Sequence, residues 1–287
     1  MEKKIEIIKD VVYGEIKKRK LLLDIIKTNE RKNKLPVIVF IHGGGWISGN
    51  KETGILKLLH FAQKGYFCVS LSYRLSSEAS FPAQIQDCKC AIRFLRANSG
   101  KYNIDPKRIG VWGVSSGGNL VALLGVTGDD FFDNSGGWNG LSSKVNAVCD
   151  WYGRTNFLID IKKSDDEKSP YVYISKFLGG PIEENIEKAI KVSPYFYECK
   201  NSPPFLIIHG ENDDIVPYSQ SEMFFKKLKK NKVDVTLIKV KNGGHGSGFG
   251  KKVMDFVISF FDCFLKDKKT EWENLKNNKD FIEIPAE

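Results

Sequence analysis

The feature that most constrains this chain is the stretch Arg108-Ile109-Gly110-Val111-Trp112-Gly113-Val114-Ser115-Ser116-Gly117-Gly118. An apolar run ends in Gly-x-Ser-x-Gly, and the helical pattern Asn119-Leu120-Val121-Ala122-Leu123-Leu124 follows at once. Glycines at 113 and 117 let a strand and a helix approach closely around a serine held in a sparsely populated backbone conformation. A strand, a sharp turn and a helix in that order leave the serine hydroxyl exposed above the end of a sheet. Ser115 is therefore a candidate nucleophile, and the rest of the chain must supply a base, an acid and donors for a developing oxyanion.

The remaining pattern supports a sheet for Ser115 to stand on. Leu35 to Ile41, Phe67 to Tyr73, Val145 to Trp151, Pro204 to Ile208 and Val233 to Val240 are short apolar runs, as expected of strands buried on both faces. Helical patterns fall between them at Gly54–Lys64, Gln84–Ser99, Glu222–Lys230 and Gly250–Leu265. Ile5 to Val12 and Lys20 to Lys27 add two leading strands, with a turn expected at Gly14. This alternation predicts an α/β chain with a mostly parallel, eight-stranded sheet covered by helices on both faces. Nothing divides the 287 residues, so a single domain is expected. Residues 154 to 200 exceed what a crossover needs and are expected to form a small cap or lid. The charged tail from Lys266 is expected to be a surface helix or frayed, and Thr127 to Ser143 a loop.

Several function classes are set aside by composition. The formal net charge of +9 comes from scattered lysines, with no zinc finger or basic-aromatic motif, so nucleic acid is not an expected partner. Six cysteines at 68, 88, 90, 149, 199 and 263 show no zinc spacing and no disulfide framework; reduced core thiols are expected. The start, Met1 to Glu6, lacks a leader pattern, and no apolar run reaches membrane-spanning length, which argues for the cytoplasm and against a membrane partner. A homodimer is left open.

A serine hydroxyl needs a base to accept its proton. Of the four histidines, His60 falls near the end of a helix, while His42 and His209 end buried strands. His245 sits in the loop Asn242-Gly243-Gly244-His245-Gly246-Ser247-Gly248, where its ring is free to reach a serine, and is the candidate base. Asp213, just past a strand's carboxyl end, is the candidate acid; Glu211 and Asp214 are its neighbours, and Asp150 is the alternative. His42-Gly43-Gly44-Gly45-Trp46 follows the third strand, and its glycines let backbone amides turn inward. The amides of Gly44, Gly45 and Ser116 are the candidate oxyanion donors. Trp46, Trp151, Tyr152, Tyr171 and Tyr173 are candidates for lining a substrate pocket, although aromatic stripes also serve cores.

Taken with Tyr73-Arg74-Leu75, Phe81-Pro82-Ala83 and Asp105-Pro106-x-Arg108-Ile109, these segments resemble the α/β-hydrolase superfamily. More narrowly, the chain is similar to serine esterases with a His-Gly-Gly-Gly-Trp oxyanion motif, the bacterial feruloyl or acetyl esterases near the hormone-sensitive-lipase group. The resemblance runs from about residue 35 to 265. It implies an α/β-hydrolase fold and the chain order Ser115, Asp213, His245. The implied activity is hydrolysis of short acyl or aryl esters, a small-molecule substrate, with no cofactor and no metal. Val114 and Ser116 replace the acidic residue and alanine that often flank the serine in the hormone-sensitive-lipase group, whose long N-terminal cap is also missing from residues 1 to 34. These departures favour the feruloyl/acetyl branch. An arylformamidase or small peptidase with the same triad is the alternative chemistry, and a non-catalytic hydrolase-fold binding protein the alternative class.

Overall fold

A computed structural model of the chain describes residues 4–29, 33–129, 131–132 and 135–287. Three residues of the expected 127–143 loop (Asp130, Asp133, Asn134) and the first three residues of the expected leaderless start lie outside the described residues.

Continuous apolar runs become the central strands because both their faces are covered. Strand β1 spans Ile5–Ile16, β2 Arg19–Thr28 and β3 Leu35–Ile41; helix α1 (Ile55–Gln63) leads to β4 (Phe67–Leu71). Then come α2 (Ala83–Ala97), the short α3 (Ser99–Tyr102), β5 (Ile104–Val114), α4 (Ser116–Thr127) and β6 (Ala147–Trp151). Residues 154–200 carry α5 (Pro170–Leu178) and α6 (Ile186–Val192), after which β7 (Phe205–Gly210), α7 (Ser219–Lys230), β8 (Val235–Lys241) and α8 (Lys251–Lys266) resume the alternation. Helix α9 (Lys269–Lys276) and β9 (Phe281–Pro285) close the chain.

The strands form one sheet in the order β1-β2-β4-β3-β5-β6-β7-β8-β9. The β1–β2 and β2–β4 pairs are antiparallel, and every pair from β4–β3 to β8–β9 is parallel. Residues of α2, α4 and α7 pack on one face, among them Ile85, Leu120 and Phe224. Residues of α1, α8 and α9 pack on the other, among them Phe61, Phe256 and Trp272. Helix α4 is buried along its whole length, which explains why its sequence is apolar all round and not striped. Among the described residues, no helix is long and apolar enough to cross a membrane. All six cysteines are free and buried, as expected.

Three expectations change. The sheet has nine strands, because the charged tail is docked and not frayed. Trp272 is 1% exposed against Phe256 and Phe260, and Lys239 and Lys241 both pair with Glu283 of the edge strand β9. The first hairpin turns at Lys17-Lys18, both with positive φ, and not at Gly14. Gly14 lies inside β1, and a side chain there would meet Cys90 Sγ and the Gly136 carbonyl within 3 Å, so close packing and not a turn calls for glycine. The helix expected over Pro181–Lys191 is broken into a short 3-10 turn at Ile182–Glu184 and α6, while the aromatic patch at 171–177 is itself helical.

Candidate active site

The carboxyl ends of β3, β5, β6, β7 and β8 lie along one edge of the sheet, where an open parallel sheet presents its ligand crevice. Ser115 sits at the tip of the turn between β5 and α4 with φ 55° and ψ −119°, a conformation costly for any residue with a Cβ. The turn is held by the Ser115 N–H donating to the Trp151 carbonyl at 2.9 Å. Its glycines are sterically required. A Cβ on Gly113 would collide with the Gly117 carbonyl, and one on Gly117 with the Ile41 carbonyl.

A chain of hydrogen bonds crosses from this serine to two further loops. Ser115 Oγ lies 2.9 Å from His245 Nε2, and His245 Nδ1 lies 2.7 Å from Asp213 Oδ2. The other carboxylate oxygen of Asp213 accepts the Ile215 and Val216 amides at 2.9 and 2.8 Å. Burial alone would push the Asp213 carboxyl up, but hydrogen bonds from His209, His245 and the Val216 amide outweigh it and hold the group well below the usual carboxylate range. Tyr152 packs its ring 4.6 Å from that of His245, and a side chain on Gly246 would strike the Tyr152 hydroxyl, so Tyr152 buttresses the histidine loop.

The glycine loop lies against the serine. A Cβ on Gly43 would come within 2.9 Å of the Val114 carbonyl and 3.3 Å of Ser115 Cβ. Gly44, Gly45 and Trp46 all have positive φ, at 118°, 60° and 60°, which turns successive amides inward. None of the Gly44, Gly45 and Ser116 amides donates to an acceptor among the described residues. His42 braces this loop: its Nδ1 bonds the Gly43 carbonyl at 2.7 Å, and its ring stacks on Tyr73, whose hydroxyl donates to the His42 carbonyl at 3.2 Å.

Burial pushes the His42 imidazole down to about 4, a shift the Gly43 hydrogen bond only partly offsets. The folded chain then binds fewer protons here than the unfolded chain between about pH 6.5 and 4, so stability falls as pH drops through that window, by about 3 kcal/mol from this group. Urea unfolding at pH 7 and pH 4.5 should show the stability gap between the native chain and His42→Gln shrinking at the lower pH.

The structure separates the residues expected to line a pocket. A small cavity of about 40 Å³ beside Ser115 is bounded by Gly45, Trp46, Ser116 and Tyr173, with Arg154, Pro170, Ile174, Ile215 and Val216 completing it. Trp46 and Tyr173 thus reach it. Trp151, Tyr152 and Tyr171 do not: Trp151 packs between Trp112 and Phe249, Tyr152 supports His245, and Tyr171 donates its hydroxyl to Glu183 at 2.8 Å. Side-chain direction decides this: Trp151 at the end of β6 and Tyr152 just past it pack together on the α8 side of the sheet, and Tyr171 on α5 turns toward Glu183.

Asp150, the alternative acid, has no contact with His245; it is fully buried under the elbow helix, accepts the Gly153 amide at 3.0 Å, and is pushed up to about 7 by burial. Two further residues shape the site without a motif that marks their role. His209 Nε2 lies 3.2 Å from Asp213 Oδ2 and 2.8 Å from the Val216 carbonyl, holding the acid loop in place; the four-residue spacing to Asp213 was its only signal. Arg154 was signalled by a cation three residues past the end of β6, on the same crest as the other site loops.

Sheet order, the helices on both faces and the crest of loops define an α/β-hydrolase fold. The chain belongs to the BD-FAE family, whose model matches residues 23–228. It is 31% identical over 244 residues to Esterase LipC of Mycobacterium tuberculosis, an alignment covering 82% of this chain and 59% of LipC. Among solved structures it resembles a bifunctional GH43-CE protein of Bacteroides eggerthii, with 32% identity and a TM-score of 0.78 over 89% of this chain and 37% of that one. It also resembles a truncated carbohydrate esterase from gut microbiota, with 29% identity and a TM-score of 0.74 over 94% of this chain and 97% of that one. The chain spans 51 to 59% of the length of three Mycobacterium tuberculosis relatives, LipC, LipM and LipQ.

Proposed function

We propose that this chain is a serine carboxylesterase acting on short acyl esters through an acyl-enzyme. The observation that carries the reading is the unbroken hydrogen-bond chain Ser115–His245–Asp213 beside three unengaged amides. Ser115 Oγ attacks the ester carbonyl as His245 Nε2 takes its proton, and Asp213 holds the ring with Nδ1–H toward the carboxylate. The oxygen of the tetrahedral intermediate is received by the amides of Gly44, Gly45 and Ser116, at the N-terminus of α4. His245 returns the proton to the departing alcohol. Water then attacks the acyl-enzyme with the same base and releases the acid. Every proton and charge in this cycle has a side chain or amide to receive it, so the reading calls for no cofactor.

Substrate size follows from the cavity. At about 40 Å³, against about 10–15 Å³ for each water by the same measure, it has room for a group of a few heavy atoms, so a short acyl group such as acetyl fits within it. Residues 154–200 act as the cap that sets this limit, with Tyr173 of α5 lying over Gly45. Names of relatives agree in class: esterase and carbohydrate esterase.

A panel of 4-nitrophenyl acetate, butyrate and octanoate, acetylated and feruloylated sugars, and N-formylkynurenine tests the reading. Acetate esters should be the best substrates and a fluorophosphonate should label Ser115; faster cleavage of the formamide, or no labelling, would overturn it. Gly44→Ala adds a second check. Its φ of 118° and the Ser48 carbonyl both oppose a Cβ, so displacement of the loop should cost about 10²–10³ in kcat, the typical loss for a missing oxyanion donor.

A further inference from the structure

The cavity beside Ser115 contains one charged side chain, and it is buried. Arg154 is 3% exposed and lines the cavity together with Ser115 and Ser116. Burying a guanidinium is costly unless its hydrogen bonds are satisfied. Among the described residues only one bond engages this one, from Nη1 to the Ile159 carbonyl at 3.1 Å, and no carboxylate pairs with it. The nearby Asp160 is committed elsewhere, accepting from Ser219 Oγ at 2.9 Å and Gln220 Nε2 at 3.2 Å. Nε and Nη2 therefore remain without a protein acceptor. Burial lowers the group to about 10, which leaves it cationic at neutral pH. The other walls, Trp46, Pro170, Tyr173, Ile174, Ile215 and Val216, are largely apolar and supply no anion.

We infer that Arg154 anchors a carboxylate carried by the ester substrate close to its scissile carbonyl. This rests on the reading of Ser115 as an esterase nucleophile and adds the chemical class of the substrate. A planar guanidinium with two free donors matches a carboxylate bidentately, and the low-dielectric surroundings strengthen the pair. The cavity admits a terminal carboxylate on a short chain, whereas a long alkyl chain would be mismatched to a buried cation. The carboxylate can enter on either half of the ester: as a dicarboxylic half-ester on the acyl side, or as a uronic acid on the alcohol side.

The test uses the full chain and two isosteric pairs at pH 7. Monomethyl succinate against methyl 4-methylpentanoate probes the acyl side; an acetylated methyl glucuronoside against the corresponding acetylated methyl glucoside probes the alcohol side. In at least one pair kcat/KM should favour the anion by about tenfold to a hundredfold, the range of a charged hydrogen bond. The preferred pair identifies which half carries the charge. Arg154→Met should bring that ratio close to one, and Arg154→Lys should leave it between. A purely structural role for Arg154 would change turnover of both members of a pair together and leave the ratio alone. Should Arg154→Met not fold, protection of the native chain against fluorophosphonate labelling by succinate but not by succinamide provides the same readout. Turnover of the neutral esters with no anionic preference in either pair overturns this inference alone; no turnover and no labelling overturns the esterase reading with it.

Discussion

Ser115→Ala is expected to lower kcat on 4-nitrophenyl acetate by about 10⁶-fold, the loss seen when a serine hydrolase is stripped of its nucleophile. The residual rate would come from the amides of Gly44, Gly45 and Ser116 and from substrate binding. The fold should be unaffected, since Ser115 Oγ has one protein partner, His245, and the turn is held by backbone bonds. A companion variant separates chemistry from stability. With φ 55° and ψ −119°, position 115 suits glycine better than any residue with a Cβ. Ser115→Gly should therefore be as inactive as the alanine variant yet more stable than the native chain by about 1 kcal/mol in urea unfolding. A destabilised Ser115→Gly would show that the turn is not strained. Activity retained by Ser115→Ala would remove the serine from the mechanism.

The second large effect distinguishes two carboxylates. Asp213→Asn should reduce kcat by about 10⁴-fold, because an amide presents the wrong hydrogen-bonding partner to His245 Nδ1 and no charge to the forming imidazolium. Asp150→Asn should leave activity within a few-fold, since that group does not touch His245. Its effect should fall on stability. The folded-state carboxyl of Asp150 is pushed up from 3.8 to about 7, so the stability it contributes is fully present below about pH 4 and is lost as pH rises through 7. A neutral amide does not titrate, and the stability advantage of Asp150→Asn should grow between pH 4 and pH 8. Equal losses of activity in the two variants would return Asp150 to consideration as the acid.

Much of the site is legible because its residues answer local demands of the backbone. The elbow glycines are needed where β5 and α4 approach within van der Waals contact. Three successive positive φ values at Gly44, Gly45 and Trp46 explain the glycine run after β3. His245 belongs to a glycine-rich loop for the same reason, with a positive φ at Gly246. Strand and helix periods located the sheet, and the burial of β3 from Pro36 to Ile41 matches its unbroken apolar run.

Other assignments depend on where side chains point after distant segments meet. Trp151 and Asp150 are adjacent in sequence, yet one packs toward α8 and the other lies beneath α4. The residues from Lys266 onward read as a charged surface tail, but Trp272 and Ile284 find buried places against α8 and β8.

The sequence by itself determined that this chain forms a mostly parallel α/β sheet with Ser115 at a strand–turn–helix elbow, a glycine-rich loop after the third strand and a histidine on a flexible loop. Those properties arise from backbone conformation and periodicity, which neighbouring residues dictate. Only the tertiary structure decided that Asp213 and not Asp150 reaches His245, that Trp46 and Tyr173 but not Trp151, Tyr152 or Tyr171 line the cavity, and that Arg154 stands in its wall. Each of those depends on side-chain direction at a crest built from strands far apart in the chain, and no local pattern records it.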